Sequence, residues 1–172
     1  MDAEWYFNIV GKFVIATNLK LGFLGSYNSD IGISPFERFE LGGDGLNNQS
    51  VGITGKDILS LRGYQQMDFR ENDNGGGAVF DKFTVELRYP ISTNPNSAIY
   101  IHTFLQGGNT WGRIADFNPF DLQRSAGFGV RVFLPMFGLL GFDYGWGFDK
   151  DPLSPNFGGF GQFNIILGFE PE

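Results

Sequence analysis

The chain has 172 residues, a net charge of −7 and no cysteine, which allows one domain with a sizeable core. The acidic balance excludes nucleic acid as a partner, since phosphates need clustered Lys and Arg, and the lack of cysteine excludes disulfides, a thiolate nucleophile and cysteine-ligated zinc. The 26 Gly and 20 Phe go with a mean hydropathy of only −0.11 and no run near the ~18 apolar residues of a membrane helix, a mix that fits strands apolar on one side.

In chain order, Met1-Asp2-Ala3-Glu4 has neither the basic nor the apolar region of a signal peptide, so the chain is expected to be a piece of a longer protein. Asp2 to Ile9 alternates as a short strand, with Trp5, Phe7 and Ile9 on one side. Val10-Gly11-Lys12 is a tight turn. Phe13 to Tyr27 is the cleanest strand, with Phe13, Ile15, Thr17, Leu19, Leu21 and Phe23 on one face and Asn18, Lys20, Gly22 and Ser26 on the other. A long connection runs from about Asn28 to Gly77. Connections of this length are usually functional or disordered, and Val51 to Leu61 is apolar enough for a short ordered ribbon.

Ala78 to Tyr89 is the next strand, with Lys82, Thr84, Glu86 and Arg88 on its polar face. Pro90 to Ser97 reads as a turn and Ala98 to Gln106 as a strand. A second long connection runs from Gly107 to about Arg124. Ser125 to Leu134, Leu140 to Phe148 and Gly161 to Phe169 complete the set. About seven strands thus alternate between short turns and long loops. Outer-membrane barrels have that asymmetry; a soluble β-sandwich gives the same alternation but not the same loops or aromatic density. The predicted fold is all-β, an antiparallel transmembrane β-barrel segment of about seven strands. An odd number of antiparallel strands cannot close on itself, so a larger barrel or a second copy is expected to cover the edges.

Several patterns carry no chemistry. His102, the one histidine, lacks any accompanying nucleophile pattern and reads as a polar lining residue. Arg70-Glu71-Asn72-Asp73-Asn74-Gly75 has Arg where a calcium loop needs its first aspartate. The Gly55-Lys56-Asp57 run lacks P-loop spacing. Trp5, Tyr89, Trp111, Tyr144 and Trp146 are placed as girdle aromatics near strand ends. No enzyme activity, metal or cofactor is expected.

Four motifs carry a resemblance. They are Phe36-Glu37-Arg38-Phe39-Glu40-Leu41-Gly42-Gly43, then Leu61-Arg62-Gly63-Tyr64, Thr84-Val85-Glu86-Leu87-Arg88-Tyr89-Pro90, and Gln162-Phe163-Asn164-Ile165. With them the chain resembles the C-terminal half of the barrel of BamA, the outer-membrane protein assembly factor of the bacterial surface antigen superfamily, in its Bacteroidetes-like form. The resemblance covers nearly the whole chain. It implies the last seven or so strands of a sixteen-stranded barrel in the bacterial outer membrane, with the loop at about 28–77 folded inward. It implies that Arg62, carried by Leu61, Gly63 and Tyr64, pairs with Glu86 in the lumen. The position where the family often places a second acidic partner holds Gln106. The last strand, with Gly161, Gln162, Phe163, Asn164, Ile165 and Phe169, would supply a weakly paired seam. Implied partners are unfolded outer-membrane barrel proteins, outer-membrane lipids, accessory assembly lipoproteins, and the missing N-terminal half of the barrel with its periplasmic domains. A polypeptide translocation pore of the same superfamily and a passive porin-like barrel are the alternatives.

Overall fold

The computed structural model describes residues 1–26, 33, 38–43, 57–65, 76–94, 97–135, 138–153 and 159–168. The strands are β1 (Asp2–Asn8), β2 (Val14–Phe23), β3 (Phe39–Leu41), β4 (Asp57–Leu59), β5 (Val79–Asn94), β6 (Ser97–Trp111), β7 (Gln123–Leu134), β8 (Gly138–Gly147) and β9 (Gly161–Gly168). Among the described residues the one helical piece is a 3-10 turn at Ile114–Asp116, and no helix is long and apolar enough to cross a membrane. Seven strands form one antiparallel sheet in the order β1-β2-β5-β6-β7-β8-β9. The fold is the all-β, antiparallel arrangement expected of part of a barrel. The short turns lie at one end of the sheet and the long connections at the other.

The register stacks like residues in rows. Ala16, Glu86, Phe104, Gly127, Gly145 and Gln162 form one row across β2 to β9, and Val14, Arg88, His102, Gly129, Asp143 and Asn164 form the adjacent one. Both rows lie on the polar face. The opposite face carries Phe83, Leu87, Ile101, Leu105, Phe128, Phe163 and Leu167, all exposed, whereas Lys20, Lys82, Glu86, Arg131 and Asp143 on the polar face are buried. A water-soluble sandwich requires the reverse, because unpaired charge is costly inside and apolar side chains are driven there. The inversion is what a sheet facing lipid outside and a filled lumen inside requires.

What fills the polar side is the long connection. β3 and β4 pair in parallel, Phe39 with Asp57 and Leu41 with Leu59. Phe39 and Gly77 exchange two backbone hydrogen bonds of 2.9 and 2.8 Å, and Gly43 N–H donates to Tyr64 C=O at 2.9 Å. Leu41, Leu61 and Tyr64 form a buried apolar cluster with Leu59 against it. The expected ribbon is therefore present at Asp57–Leu59, while residues 51–56 lie outside the described residues.

Two strands run further than their composition suggests. β5 continues through Pro90 to Asn94, because the register shifts between Pro90 and Ser92, and an irregularity of this kind tolerates a residue without an N–H. β6 continues through Gly107-Gly108-Asn109-Thr110 to Trp111. Gly108 is a packing position: a Cβ there would meet the Asp81 carbonyl at 2.9 Å and Leu41 at 3.4 Å. Gly108→Val should therefore separate the inward ribbon from the wall. The expected cost is about 1–3 kcal/mol, read as a lower urea midpoint for the heat-modifiable folded band of the full-length protein. An unchanged midpoint would contradict this packing.

Candidate functional site

The site is built on a turn. Tyr64 N–H donates to Leu61 C=O at 3.1 Å, which closes Leu61-Arg62-Gly63-Tyr64. Gly63, third in the turn, takes φ +92°, a conformation that strongly favours glycine. The turn rests on the wall where β8 offers no side chain: a Cβ on Gly145 would lie 2.9 Å from Gly63 N, and one on Gly63 would lie 3.0 Å from Gly147 N. The alternating glycines of β8 thus form a floor on which the backbone of the loop lies directly.

From this floor Arg62 reaches along the polar face and is only 6% exposed. Its Nη2 donates to Glu86 Oε1 at 2.5 Å and its Nη1 to Asp143 Oδ2 at 3.1 Å. Gln106 Oε1 accepts from both Arg62 Nε and Arg62 N, each at 3.1 Å, while Gln106 Nε2 donates to Thr84 Oγ1 at 3.1 Å. The guanidinium also lies over the Phe104 ring, 3.8 Å from its centroid, a favourable position for a cation. Nη1 sits 3.3 Å from His102 Nε2, and that nitrogen is 3.3 Å from Asp143 Oδ1. Since the guanidinium only donates, Nε2 accepts from Arg62 when the imidazole carries its proton on Nδ1.

Both carboxylates are shared. Arg88 Nε donates to Glu86 Oε2 at 2.8 Å. Arg131 Nη2 donates to Asp143 Oδ2 at 2.7 Å, and Arg131 Nη1 pairs with Asp143 Oδ1. Three guanidiniums thus meet two carboxylates inside the sheet, on the rows where the register sets Arg88 by His102 and Gly129 by Asp143. Such forked contacts are strong and directional. Removing one buried partner typically costs about 3–5 kcal/mol, because the other charge is left uncompensated.

Tyr64 makes a second attachment at the long-loop end. Its hydroxyl donates to Arg124 C=O at 2.8 Å and accepts from Asp149 N–H at 3.0 Å. Arg124 in turn grips Asp149 through Nη2 at 2.7 Å and Nε at 3.1 Å, and this contact holds the Asp149 carboxyl below its usual range. Lys150 lies over the Tyr64 ring at 5.5 Å and donates to Gly159 C=O at 3.0 Å, next to the last strand.

The structure thus brings Leu61, Arg62, Gly63, Tyr64, Glu86 and Gln106 together. Gln106 contributes as a neutral acceptor. The acidic group beside Glu86 is Asp143, two strands beyond β6. His102, Arg88, Arg131 and Phe104 also belong to the site and were not assigned to it from sequence. One signal was available: the hairpin at 134–138 fixes the β7–β8 register, which places Arg131 diagonal to Asp143. Of the last-strand residues, Asn164 stands opposite Asp143 and Gln162 opposite Gly145 on the polar face, while Gly161, Phe163 and Ile165 have the opposite parity. Phe169 lies outside the described residues. Among the described residues no cluster of three or more His, Asp or Glu is arranged to hold a metal.

An apolar outer face, a polar inner face and a loop pinned inside by a buried arginine are now in place. The Omp85 superfamily domain matches residues 1–169. The chain belongs to the Omp85 superfamily. No curated protein matches the chain. Omp85 superfamily members are associated with outer membranes, where the superfamily works in protein insertion or translocation. In an Omp85 barrel a polar face of this kind suits the lumen side and the apolar face suits lipid.

Tyr64→Phe in the full-length protein should release the outer attachment while leaving Arg62 seated. Loss of both hydroxyl contacts is worth on the order of 1–3 kcal/mol, so the Asp149 amide should exchange hydrogen about tenfold faster or more. Unchanged exchange there would show that the hydroxyl ties nothing.

Proposed function

We propose that this Omp85 domain is the C-terminal part of a BamA-type barrel that folds and inserts other barrel proteins into the bacterial outer membrane. The observation that carries the reading is the burial of Arg62 between Glu86 and Asp143, 24 and 81 residues away along the chain. A passive pore gains nothing from filling its own lumen with a pinned loop. An insertion machine does, because the wall must keep its shape while one edge opens.

In this reading β9 is that edge. It pairs with β8 on one side, from Gly161 opposite Trp146 to Gly168 opposite Leu139, and its other edge is open among the described residues. An open strand edge is a template for β-augmentation, in which main-chain hydrogen bonds hold the incoming strand. Unfolded barrel proteins would add strands there. Burial of their apolar faces in lipid would supply the driving free energy, with no covalent step. Asn164 stands opposite Asp143 in the ladder, which sets this edge next to the Arg62 cluster, so the loop braces the wall next to the moving strand. The N-terminal half of the barrel, its periplasmic domains and accessory lipoproteins complete the machine in this proposal.

The test is a double-mutant cycle in the full-length protein, with folding of a model barrel substrate in proteoliposomes as the readout. Arg62→Ala and Glu86→Ala should each lower the rate at least tenfold, and the double variant should be little worse than either single one. Additive losses would remove the pairing from the mechanism. Full activity in all three variants would show that the pair plays no part in insertion, and no folding activity in the unaltered protein would favour a passive pore.

A further inference from the structure

The connection between β6 and β7 does not extend into water from the end of the sheet. It folds back over the lipid-facing side. Phe23, Val79 and Trp111 stand opposite one another on that face. The Phe117 ring meets Trp111 edge-on with centroids 4.9 Å apart, and meets Phe23 at 6.0 Å. Trp111, expected from its sequence position to be a girdle aromatic, is therefore covered and only 8% exposed. Further down the same face, Leu122 lies against Gly107, and Asn109 Nδ2 donates to Asp121 C=O at 2.7 Å.

This folded-back segment is linked to a charge. Asp81 has the parity of the lipid-facing residues, opposite Asn109, yet it is buried. Its Oδ1 accepts from Asn109 N–H at 3.2 Å. A bare carboxylate at the lipid boundary would be costly, and Asn109, which donates to it, also holds the Asp121 carbonyl of the folded-back segment.

The segment also presents a new apolar surface. Asn118-Pro119-Phe120-Asp121 is a closed turn, with Asp121 N–H donating to Asn118 C=O at 3.1 Å and Phe120 N–H to Asn118 Oδ1 at 3.2 Å. Pro119 fixes the backbone at its second position. The turn holds Phe120 with 91% of its surface exposed, and Ile114 in the preceding 3-10 turn is 55% exposed. A rigid turn that displays a phenylalanine gains nothing from facing water. Its position on the lipid-facing side continues the exposed apolar band of Phe23, Phe83 and Leu105.

We propose that residues 112–122 form a collar lying in the membrane interface, with Phe120 and Ile114 inserted into the acyl region of the outer leaflet. The occupant is lipid. The collar fixes the height of the β5–β6 wall in the bilayer and removes Asp81 from contact with it. The proposal is independent of whether the machine inserts or translocates proteins.

These 172 residues hold no cysteine, so one label can be placed here once any cysteine elsewhere in the full-length protein is replaced by serine. A nitroxide is attached at Phe120→Cys in the full-length protein, in phosphatidylethanolamine–phosphatidylglycerol vesicles, and collisions with oxygen and with a water-soluble nickel chelate are measured. Phe128→Cys on the lipid face and Lys12→Cys in the opposite turn are the references, and heat-modifiable mobility verifies folding. The ratio of oxygen to nickel accessibility at 120 should match that at 128 and exceed that at 12 at least several-fold. A ratio like that at 12 would overturn the collar. So would low accessibility to both reagents, which would indicate a protein partner. If the labelled 120 variant does not fold, Ile114→Cys gives the same decision by the same comparison.

Discussion

The structure depends on one buried cation. Arg62 is only 6% exposed, so its place is set by the groups that take its N–H bonds. Glu86, Asp143, Gln106 and His102 lie within 2.5–3.3 Å of its side-chain nitrogens and come from three strands of the sheet, with Phe104 beneath. A guanidinium suits this role better than an ammonium, because its planar fork can address several acceptors in fixed directions. The cost of burying it makes both carboxylates important: Glu86 and Asp143 supply the counter-charge, and moving either leaves the three guanidiniums with one carboxylate between them. That explains why a loop of this length has a defined position where it meets the wall.

The wall is shaped for this cation. β8 has glycine at 141, 145 and 147 on its lumen face, so the turn lies on backbone. Asp143 is the one large group in that row, and it is held by Arg131 from β7. Tyr64 adds a contact nearer the long-loop end, through Arg124 and Asp149, and Lys150 extends it to Gly159. The loop is thus attached to β5, β6, β7 and β8 and reaches the start of β9. A segment outside the main sheet is thereby tied to most of its wall.

Much of this was legible in sequence. Alternation gave all seven strands of the main sheet and the polar face for Asn18, Lys20, Lys82, Thr84, Glu86 and Arg88, because a sheet buried on one side only must repeat every two residues; Asp81, with the opposite parity, had no such assignment. Arg62 and Glu86 were legible through the motif around each. Asp143 was not, because its pairing with Arg62 spans 81 residues and depends on the summed register of several hairpins. The extensions of β5 and β6 were hidden for local reasons. Pro90 and Gly107-Gly108 look like breakers, and only the bulge after Pro90 and the Leu41 contact at Gly108 explain why the ladder continues. The folding-back of residues 112–122 had no sequence signal beyond its aromatic content.

The most direct test of the account is the state of the Arg62 guanidinium itself. In the full-length protein in nanodiscs, with labelled arginine and Arg62→Lys to assign the signal, nuclear magnetic resonance reads its Nη protons. The account predicts separate Nη resonances, slow rotation about the Nε–Cζ bond, and slow exchange with water. A single averaged, rapidly exchanging signal like that of free arginine would contradict it.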